Sequence, residues 1–380
     1  MSGSRRNYVF LGLSITSAWG NGHATTYRGL LKELAARGHS VTFLERDVPW
    51  YASNRELSEL PYCQVSLYRS LQELSERFSG LIREADAVVV GSYVPEGIAV
   101  GRWVNSAARG LKIFYDIDTP VTLASLRAGK CEYLSCDLIG KYDLYLSFTG
   151  GPILSFIEDK MGSPCARPLY CSVDPAIYYP EKQPIEWDLA YLGTYAADRQ
   201  SALGSLLIAV AGQLPNRKFV VAGPQYPNAI EWPGNLTRIE HLPAAEHRKF
   251  YNSQAFALNL TRRDMIRAGY SPSVRLFEAA ACGVPIITDQ WPGLADFFKP
   301  HLEILPVRDT AEVLACLKLP AQDRLAIAER ARRRTLRFHT AAVRAAEFDS
   351  YVDASISRVD RSNKWRATGC QSSGPALLEK

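Results

Sequence analysis

The chain has 380 residues, of which 47% are hydrophobic and 22% charged, a composition typical of folded globular proteins and not of disordered ones. The formal net charge of +5 is compatible with anionic ligands, but it is too small to indicate a nucleic-acid-binding protein. No apolar segment reaches the roughly 18 residues of a membrane span, and the short N-terminal apolar segment fits a first strand better than a signal peptide. We therefore expect a cytoplasmic protein, and its length favours two domains.

The eight cysteines are spread along the chain without a CxxC pair, and no paired histidine motif accompanies them. This spacing does not predict a zinc site or any other metal site. Free thiols are the usual state of cysteines in the reducing cytosol, which agrees with the expected location.

Short apolar, β-rich runs alternate with helical segments along both halves of the chain. In the first half they cover residues 8–14, 41–45, 87–91, 112–116, 144–148 and 167–171. In the second half they cover residues 188–193, 218–223, 255–260, 284–288 and 303–306. The alternation predicts an α/β protein with two doubly wound, Rossmann-like parallel sheets, each covered by helices on both faces.

A Pro-rich stretch at 172–187 separates the two sets of strands and is predicted to be a linker. We expect an N-terminal domain over residues 1–175, a C-terminal domain over 176–350 and a flexible tail over 351–380. Ligands of such sheets bind beyond the carboxyl ends of the strands, so the cleft between the domains is the expected site. Residues 321–358 are helical by composition, which predicts C-terminal helices after the second sheet. Their arginine-rich run at 330–337 indicates a solvated helix face, with a lipid or nucleic-acid patch, such as a weak membrane-surface contact, as the alternative.

The loop after the first strand contains Gly20-x-Gly22 and is followed by a helix and by Glu45, a pattern similar to a dinucleotide-binding fingerprint. Two departures argue against that interpretation: Thr25 occupies the position of the third glycine, and the loop is too long for the tight turn. His23 begins the next helix and is expected to face the cleft, where a general base or a partner for a sugar hydroxyl would be useful. A structural role for this histidine is the alternative.

A second helix has well-marked ends in the sequence. Ser271 is a favourable N-cap, Pro272 suits the first helical position and Gly283 suits the residue after the end, which predicts a helix over 272–282. The first amide groups of such a helix attract phosphate. Glu278 would lie about 9 Å along the axis at about 1.5 Å per residue, close to the span from a diphosphate to the ribose of the same nucleotide. An ordinary capped helix with an exposed glutamate is the alternative.

Several motifs carry a resemblance to a known family. They are "FYDIDTPVTL" (114–123), "LGTY" (192–195), "LNLTRRDMIRAGYSPSVRLFEAAACG" (258–283) and "GLADFF" (293–298). With two similar domains and a "GH" loop after the first strand, the chain resembles GT-B glycosyltransferases over residues 7–350. It resembles most closely the group 1 transferases of the spore-maturation-protein (CgeB-like) type. Of two glutamates that many retaining members carry in this region, the second matches Glu278 and the first corresponds to Tyr270.

The resemblance implies transfer of a sugar from a nucleotide-diphosphate sugar to an acceptor, without a bound metal ion or other cofactor. Basic side chains and a helix N-terminus would then stabilise the leaving diphosphate, and His241-Leu242 would hold the base. The donor-binding residues that it implies are Gly22, Gly193, Arg199, His241, Leu242, Arg263, Ser271, Ser273 and Glu278.

The catalytic candidates are His23 and Asp118, which ends the "DID" motif at 116–118. This motif resembles the metal-binding DxD of the other transferase fold. In a parallel-sheet protein we interpret Asp118 as a strand-end residue facing the cleft, for contact with the acceptor or the sugar. A capping aspartate before Thr119-Pro120 is the alternative.

The sequence therefore predicts a metal-independent glycosyltransferase with a nucleotide sugar as its partner and no nucleic-acid partner. A nucleotide- or dinucleotide-binding protein without glycosyl transfer, either NAD-type or a degenerate transferase, is the alternative function. The motifs leave open the sugar, the base, the acceptor, the stereochemistry and the oligomeric state.

Overall fold

The computed structural model of the chain describes residues 5–18, 23–57 and 59–369. Its first half contains a seven-stranded parallel sheet with strand order β3-β2-β1-β4-β5-β6-β7. The strands are β1 (Asn7–Gly12), β2 (Ser40–Arg46), β3 (Gln64–Tyr68), β4 (Ala87–Gly91), β5 (Leu111–Asp116), β6 (Leu144–Ser147) and β7 (Ala166–Pro168). The helices are α1 (His23–Ala36), α2 (Pro49–Ala52), α3 (Leu71–Glu84), α4 (Gly97–Ala107), α5 (Thr119–Arg127), α6 (Cys136–Ile139) and α7 (Pro152–Asp159).

The second half contains a six-stranded parallel sheet with strand order β10-β9-β8-β11-β12-β13. The strands are β8 (Leu189–Leu192), β9 (Phe219–Ala222), β10 (Leu236–Ile239), β11 (Ala257–Asn259), β12 (Ile286–Asp289) and β13 (Leu305–Val307). The first helix of this half, α8 (Ala197–Leu203), continues through a π-helical turn (Gly204–Ile208) into α9 (Ala209–Gln213). A 3₁₀ turn (Ala244–Glu246) leads into α10 (His247–Asn252). The other helices up to the end of this sheet are α11 (Arg263–Ala268), α12 (Val274–Ala281) and α13 (Leu294–Phe297). The chain then forms α14 (Thr310–Cys316), α15 (Ala321–Phe338) and α16 (Ala341–Gly369).

This architecture confirms the predicted pair of doubly wound parallel sheets. The central strands are buried on both faces, as "AVVVG" in β4 illustrates, because helices cover both sides of the sheet. All eleven strand predictions overlap a strand, but β3 and β10 were not predicted. Both are edge strands with partly exposed residues, so they lack the continuous apolar run by which the other strands were found.

The predicted tail needs a correction, because residues 351–369 continue α16. This helix crosses back from the second half and lies on α1, with Ala345, Phe348 and Val352 buried at helical spacing. Asp349 accepts hydrogen bonds from Tyr8 Oη at 3.1 Å and Arg37 Nε at 2.5 Å. The apolar face of α16 therefore packs on α1, a contact that the polar composition of the C-terminal residues did not predict. Residues 370–380 lie outside the described residues.

The linker expected at 172–187 forms neither a helix nor a regular strand. Its backbone pairs with the segment before α16, since the Val173 amide donates to His339 O at 3.1 Å and the Ala341 amide donates to Val173 O at 2.9 Å. The two segments that connect the halves of the protein, one at 172–187 and one before α16, therefore lie side by side.

Three of the five arginines in the 330–337 run donate to backbone carbonyls of the same chain. These are Arg330 to Leu302 O at 2.7 Å, Arg332 to Ala281 O at 3.2 Å, and Arg334 to Asp296 O at 2.7 Å. Much of the run therefore packs against the second half of the protein, and contact with a membrane surface stays a prediction. Among the helices in the described part of the chain, none is long and apolar enough to cross a membrane.

Candidate active site

A cavity of about 720 Å³ lies between the carboxyl ends of the two sheets. Its walls come from the loops after β1, β2, β5, β6 and β7 on one side and after β8, β9, β10 and β11 on the other. This is the position at which doubly wound sheets bind ligands. The volume falls within the roughly 300–1,000 Å³ of typical small-molecule sites.

The N-terminal wall of the cavity brings both catalytic candidates together. His23 Nε2 lies 3.7 Å from Asp118 Oδ2, and both residues line the cavity. Tyr93 donates its hydroxyl to the same carboxylate oxygen at 3.0 Å and stacks on the His23 ring with a centroid distance of 5.9 Å. Asp118 occupies the N-cap position of α5, but its side chain makes no capping hydrogen bond, so the alternative role does not apply.

Burial lowers the pKa of His23, and the neighbouring Asp118 carboxylate opposes this shift. The imidazole is therefore neutral at neutral pH and able to accept a proton. Asp118 lies beside Nε2 of the ring, at a distance longer than a hydrogen bond.

Asp116, the other carboxylate of the "DID" motif, lies behind this wall and is fully buried. It accepts hydrogen bonds from Tyr145 Oη at 2.5 Å and Thr122 Oγ1 at 2.7 Å. Burial raises its pKa to about 6, against the effect of these hydrogen bonds. The two aspartates have separate roles here: Asp116 belongs to the interior network, and Asp118 faces the cavity.

The structure argues against a dinucleotide site after β1, because Glu45, the carboxylate that would bind the ribose, is not accessible to a ligand. Glu45 is fully buried and accepts hydrogen bonds from the Ile15 amide at 2.7 Å, the Thr16 amide at 3.0 Å and the Thr16 hydroxyl at 2.6 Å. Its side chain therefore fixes the loop after β1. Gly22, predicted from the same loop to contact the donor, lies outside the described residues.

The C-terminal wall carries three arginines, namely Arg199, Arg262 and Arg275. Arg199 donates Nη2 to Thr194 O at 2.7 Å, and its Nε is buried without a partner among the described residues. Burial lowers the pKa of Arg199, and the charges of Arg275 and Arg262 lower it further. Three guanidinium groups close enough to repel one another favour the binding of an anion between them.

Arg263 was predicted to bind the diphosphate, but in the structure its neighbour Arg262 lines the cavity instead. The side chain of Arg263 is exposed and is not among the described residues that line the cavity. Its backbone amide instead donates to Asp198 Oδ2 at 3.0 Å, at the first residue of α11. Adjacent residues point in different directions at a helix start, so Arg262 faces the cavity and Arg263 faces solvent.

Arg275 was missed by the sequence analysis. Its Nη1 donates to Asn259 Oδ1 at 2.8 Å, its Nε donates to Leu192 O, and the guanidinium lies 5.0 Å from the centre of the Tyr191 ring. Gly193 lines the cavity beside it, where a Cβ atom would come within 3.0 Å of Arg275 Nη2. The signal in the sequence was the position of Arg275 in the first turn of the predicted phosphate-binding helix.

The predicted phosphate-binding helix exists, but α12 begins later than expected. Its N-cap is Ser273, whose side chain accepts from the Arg275 amide at 3.4 Å, while Gly283 follows the end with φ of +73° as predicted. The Ser271 hydroxyl instead accepts from Thr149 Oγ1 at 3.0 Å and so links the two halves of the protein. Both serines line the cavity.

Glu278 lines the cavity with only 5% of its surface exposed, so the alternative of a surface glutamate does not apply. Tyr251 donates its hydroxyl to Glu278 Oε2 at 2.9 Å. Burial, and next to it the charge of Glu278, raise the pKa of Tyr178. With the later helix start, Glu278 lies about 6 Å from the first helical residue at about 1.5 Å per residue, instead of about 9 Å.

His241 and Leu242 also line the cavity, on the loop after β10. Tyr270 occupies the position of the missing first glutamate, and its ring is packed between two glycines. A Cβ atom on Gly151 or Gly293 would lie 2.3 or 2.4 Å from that ring. The Gly150 amide donates to Tyr270 O at 2.9 Å, which places Tyr270 in the contact between the two halves.

Among the residues that the structure describes, no group of three or more His, Cys, Asp or Glu side chains has an arrangement that could hold a metal ion. In the described part of the cavity, the three arginines and the N-terminus of α12 can neutralise a phosphate.

Comparisons with known proteins agree with this fold. Residues 199–350 match the family described as glycosyl transferase-like, and a comparison with curated sequences finds no match. A sucrose-phosphate synthase from Thermosynechococcus elongatus aligns with a TM-score of 0.64 and 12% identity over 93% of this chain and 100% of its own. Anabaena HepE in complex with UDP and glucose aligns with a TM-score of 0.69 and 12% identity over 92% of this chain and 100% of its own.

A third similar structure is described as "Trehalose-6-phosphate from E. coli bound with UDP-2-fluoro glucose". It has a TM-score of 0.64 and 12% identity, over 91% of this chain and 98% of that one. At these identities the structural comparisons establish the GT-B fold that the sequence predicted. The match of residues 199–350 to the glycosyl transferase-like family indicates that the protein is a glycosyltransferase.

Proposed function

We propose that the protein transfers a sugar from a nucleoside-diphosphate sugar to the hydroxyl group of an acceptor, without a metal ion. One observation carries this proposal: a cluster of three arginines shares a cavity with the His23–Asp118 pair. The cluster can stabilise a leaving diphosphate, and the pair can remove a proton from an attacking hydroxyl. The two UDP-containing neighbours described above support the same class of donor.

In this proposal the donor occupies the C-terminal wall. Arg199, Arg262 and Arg275, with the first amides of α12, bind the diphosphate and stabilise the negative charge that develops on it as the glycosidic bond breaks. The arginine cluster thereby supplies the stabilisation that other transferases obtain from a divalent cation. The fixed fork of guanidinium donors suits this task. Among the described residues, the Arg199 guanidinium donates to Thr194 O and that of Arg262 is paired with Asp198, which leaves further donors of both available to a ligand.

Glu278 is the proposed partner of the ribose hydroxyls. A carboxylate accepts hydrogen bonds from both hydroxyls of a ribose, and Tyr251 fixes the orientation of this one. His241 and Leu242 would hold the base through their loop. Gly193 leaves room for the Arg275 guanidinium beside the backbone after β8.

His23 is the proposed general base. Its neutral imidazole accepts the proton of the acceptor hydroxyl, the oxygen forms a bond to the anomeric carbon, and the nucleoside diphosphate departs with the bonding electron pair. Asp118 orients the ring and stabilises the imidazolium that forms. The motifs of the 258–298 region favour the CgeB-like group within this class, and the cysteine pattern favours a cytosolic location.

The test is a panel of nucleotide sugars that differ in base and sugar, assayed in EDTA. Donors are first selected by thermal shift, because selective binding stabilises the folded state by mass action. Each selected donor is then incubated with candidate acceptors, and the transferred sugar is detected by mass spectrometry beside released nucleoside diphosphate. Transfer by the wild type and its loss in His23→Ala are expected. Donor binding without any release of diphosphate would instead identify a degenerate transferase.

A further inference from the structure

Residues 262–273, here called the phosphate segment, carry proposed phosphate-binding groups at both of their ends. Arg262 lines the cavity at the start of the segment. Ser273, at its end, also lines the cavity and is the N-cap of α12. In the proposed function, the Arg262 guanidinium and the first amides of α12 bind the same diphosphate.

Between these ends, the phosphate segment contacts the N-terminal half of the protein. Its helix α11 packs on α5, the helix that directly follows Asp118. The Gly150 amide donates to Tyr270 O at 2.9 Å, and Thr149 Oγ1 donates to Ser271 Oγ at 3.0 Å. A ligand that holds both ends of the segment therefore also restrains its contacts with the opposite wall.

The ring of Tyr270 packs directly on one glycine from each half. A Cβ atom on Gly151, in the N-terminal half, would lie 2.3 Å from this ring, and one on Gly293, in the C-terminal half, would lie 2.4 Å from it. The backbone of Tyr270 has a φ of +50°, in the left-handed region that residues other than glycine rarely adopt. Such a conformation persists where the surrounding contacts enforce it, and it is concentrated at functional sites.

A chain of buried hydroxyl groups leads from the phosphate segment toward the catalytic pair. Thr149, which donates its hydroxyl to Ser271, also donates its amide to Ser147 Oγ at 2.9 Å. The Ser147 hydroxyl is hydrogen-bonded to Thr119 Oγ1 at 2.7 Å, and Thr119 directly follows Asp118 in the sequence. Thr119, Ser147 and Thr149 are fully buried, so water does not compete for these hydrogen bonds.

We propose that Tyr270 is a positioning residue that couples diphosphate binding on the C-terminal wall to the placement of the His23–Asp118 pair on the N-terminal wall. This inference rests on the proposed function, because the diphosphate is the ligand of that same site. Binding at both ends of the phosphate segment orders the residues between them, and the Tyr270 ring transmits this order to Gly151 and, beside it, to Thr149 and α5. A nucleoside lacks the phosphates and does not produce the coupling.

Hydrogen–deuterium exchange of the full-length protein measures this coupling without knowledge of the acceptor. UDP, GDP, ADP and CDP are first compared by calorimetry in EDTA, and the tightest binder is the probe, with its nucleoside as the control. In the wild type, the diphosphate should slow amide exchange at 273–278 and also, by at least about fivefold, at 119–127 and 149–151. The nucleoside should leave exchange at 119–127 and 149–151 within about twofold of the unliganded rate.

Two substitutions at Tyr270 separate the coupling from the fold. Tyr270→Asn removes the ring, and asparagine tolerates the left-handed backbone. In this variant the diphosphate should still protect 273–278, but it should slow exchange at 119–127 and 149–151 by less than about twofold. Tyr270→Phe keeps the ring and should restore the wild-type pattern. Thr149→Val, which removes the hydroxyl bonded to Ser271, should also reduce the protection of 119–127, and it provides a second test if Tyr270→Asn does not fold.

Two results overturn the proposal while leaving the proposed function intact. One is diphosphate protection of the wild type that is confined to the C-terminal wall. The other is full protection of 119–127 and 149–151 in Tyr270→Asn or, if that variant does not fold, in Thr149→Val. Absence of binding by all four nucleotides would refute the proposed function and this inference with it.

Discussion

The adjacent residues Arg262 and Arg263 allow a matched test of the diphosphate site. Arg262 lines the cavity, and its Nε lies 3.8 Å from Asp198 Oδ2. Arg263 has an exposed side chain, and only its backbone amide contacts Asp198. Replacing either residue with methionine removes one positive charge and keeps a long side chain. The two variants therefore differ mainly in whether the lost charge faces the cavity.

The expected magnitude follows from the exposure of each group. A hydrogen bond to a charged group contributes about 1.5–3 kcal/mol, and 41% exposure of the Arg262 side chain favours the lower part of this range. A loss of about 1.5–2 kcal/mol weakens the binding of a nucleoside diphosphate about 10- to 30-fold in Arg262→Met. In Arg263→Met only a screened long-range attraction is lost, which amounts to a few tenths of a kcal/mol at physiological salt.

Isothermal titration calorimetry with a nucleoside diphosphate and with the matching nucleoside measures both variants. The nucleoside should bind both variants and the wild type within about twofold, because neither arginine contacts the ribose or the base in the proposal. An unfolding curve for each variant confirms that the fold is retained. Equal weakening in the two variants, or full diphosphate affinity in Arg262→Met, would refute the placement of the phosphate.

Three further predictions concern other residues. His23→Ala should lower turnover on the order of a hundredfold with little change in diphosphate affinity. In the wild type, the acid limb of the profile of kcat/KM against pH should lie below pH 6.5, because burial lowers the pKa of His23. Glu278→Gln should weaken nucleoside and nucleoside diphosphate equally, by about 1 kcal/mol, the difference between a charged and a neutral acceptor; calorimetry showing unchanged affinities would make Glu278 structural. Burial lowers the pKa of His339 to about 3 from an unfolded value of 6.5, so the unfolded state binds more protons between these values and stability falls on acidification. His339→Gln should therefore lose about 2 kcal/mol less than the wild type between pH 7 and pH 5, and equal losses in urea unfolding would count against a neutral buried His339.

The strands that are buried on both faces of the two sheets could be predicted from the sequence. The strands of both sheet centres are continuous apolar runs, and these runs were visible without the structure. The edge strands β3 and β10 were missed because partner pairing, rather than apolar content, places them in the sheets. Helix was predicted as far as residue 358, but its continuation to Gly369 and its return to α1 were not. The return could not be predicted because the contacts of Asp349 with Tyr8 and Arg37 join residues more than 300 positions apart.

The site was predictable to the level of its loops and less so at individual side chains. Loops after parallel strands meet at one edge of a sheet, which is why His23, Asp118 and Glu278 all reach the same cavity. The direction of a side chain near a helix start depends on a shift of one or two residues. For this reason Arg262 and not the predicted Arg263 lines the cavity, and Ser273 and not the predicted Ser271 is the N-cap of α12.

The binding of a nucleoside diphosphate in the presence of excess EDTA tests the central claim most directly. The arginines and the N-terminus of α12 should neutralise the diphosphate without a divalent cation. Calorimetry on the wild type should therefore show at least one nucleoside diphosphate that binds more than tenfold more tightly than its nucleoside, with an affinity that magnesium or manganese does not raise. If diphosphate binding is absent in EDTA and appears only when a divalent cation is added, the account of this site is contradicted.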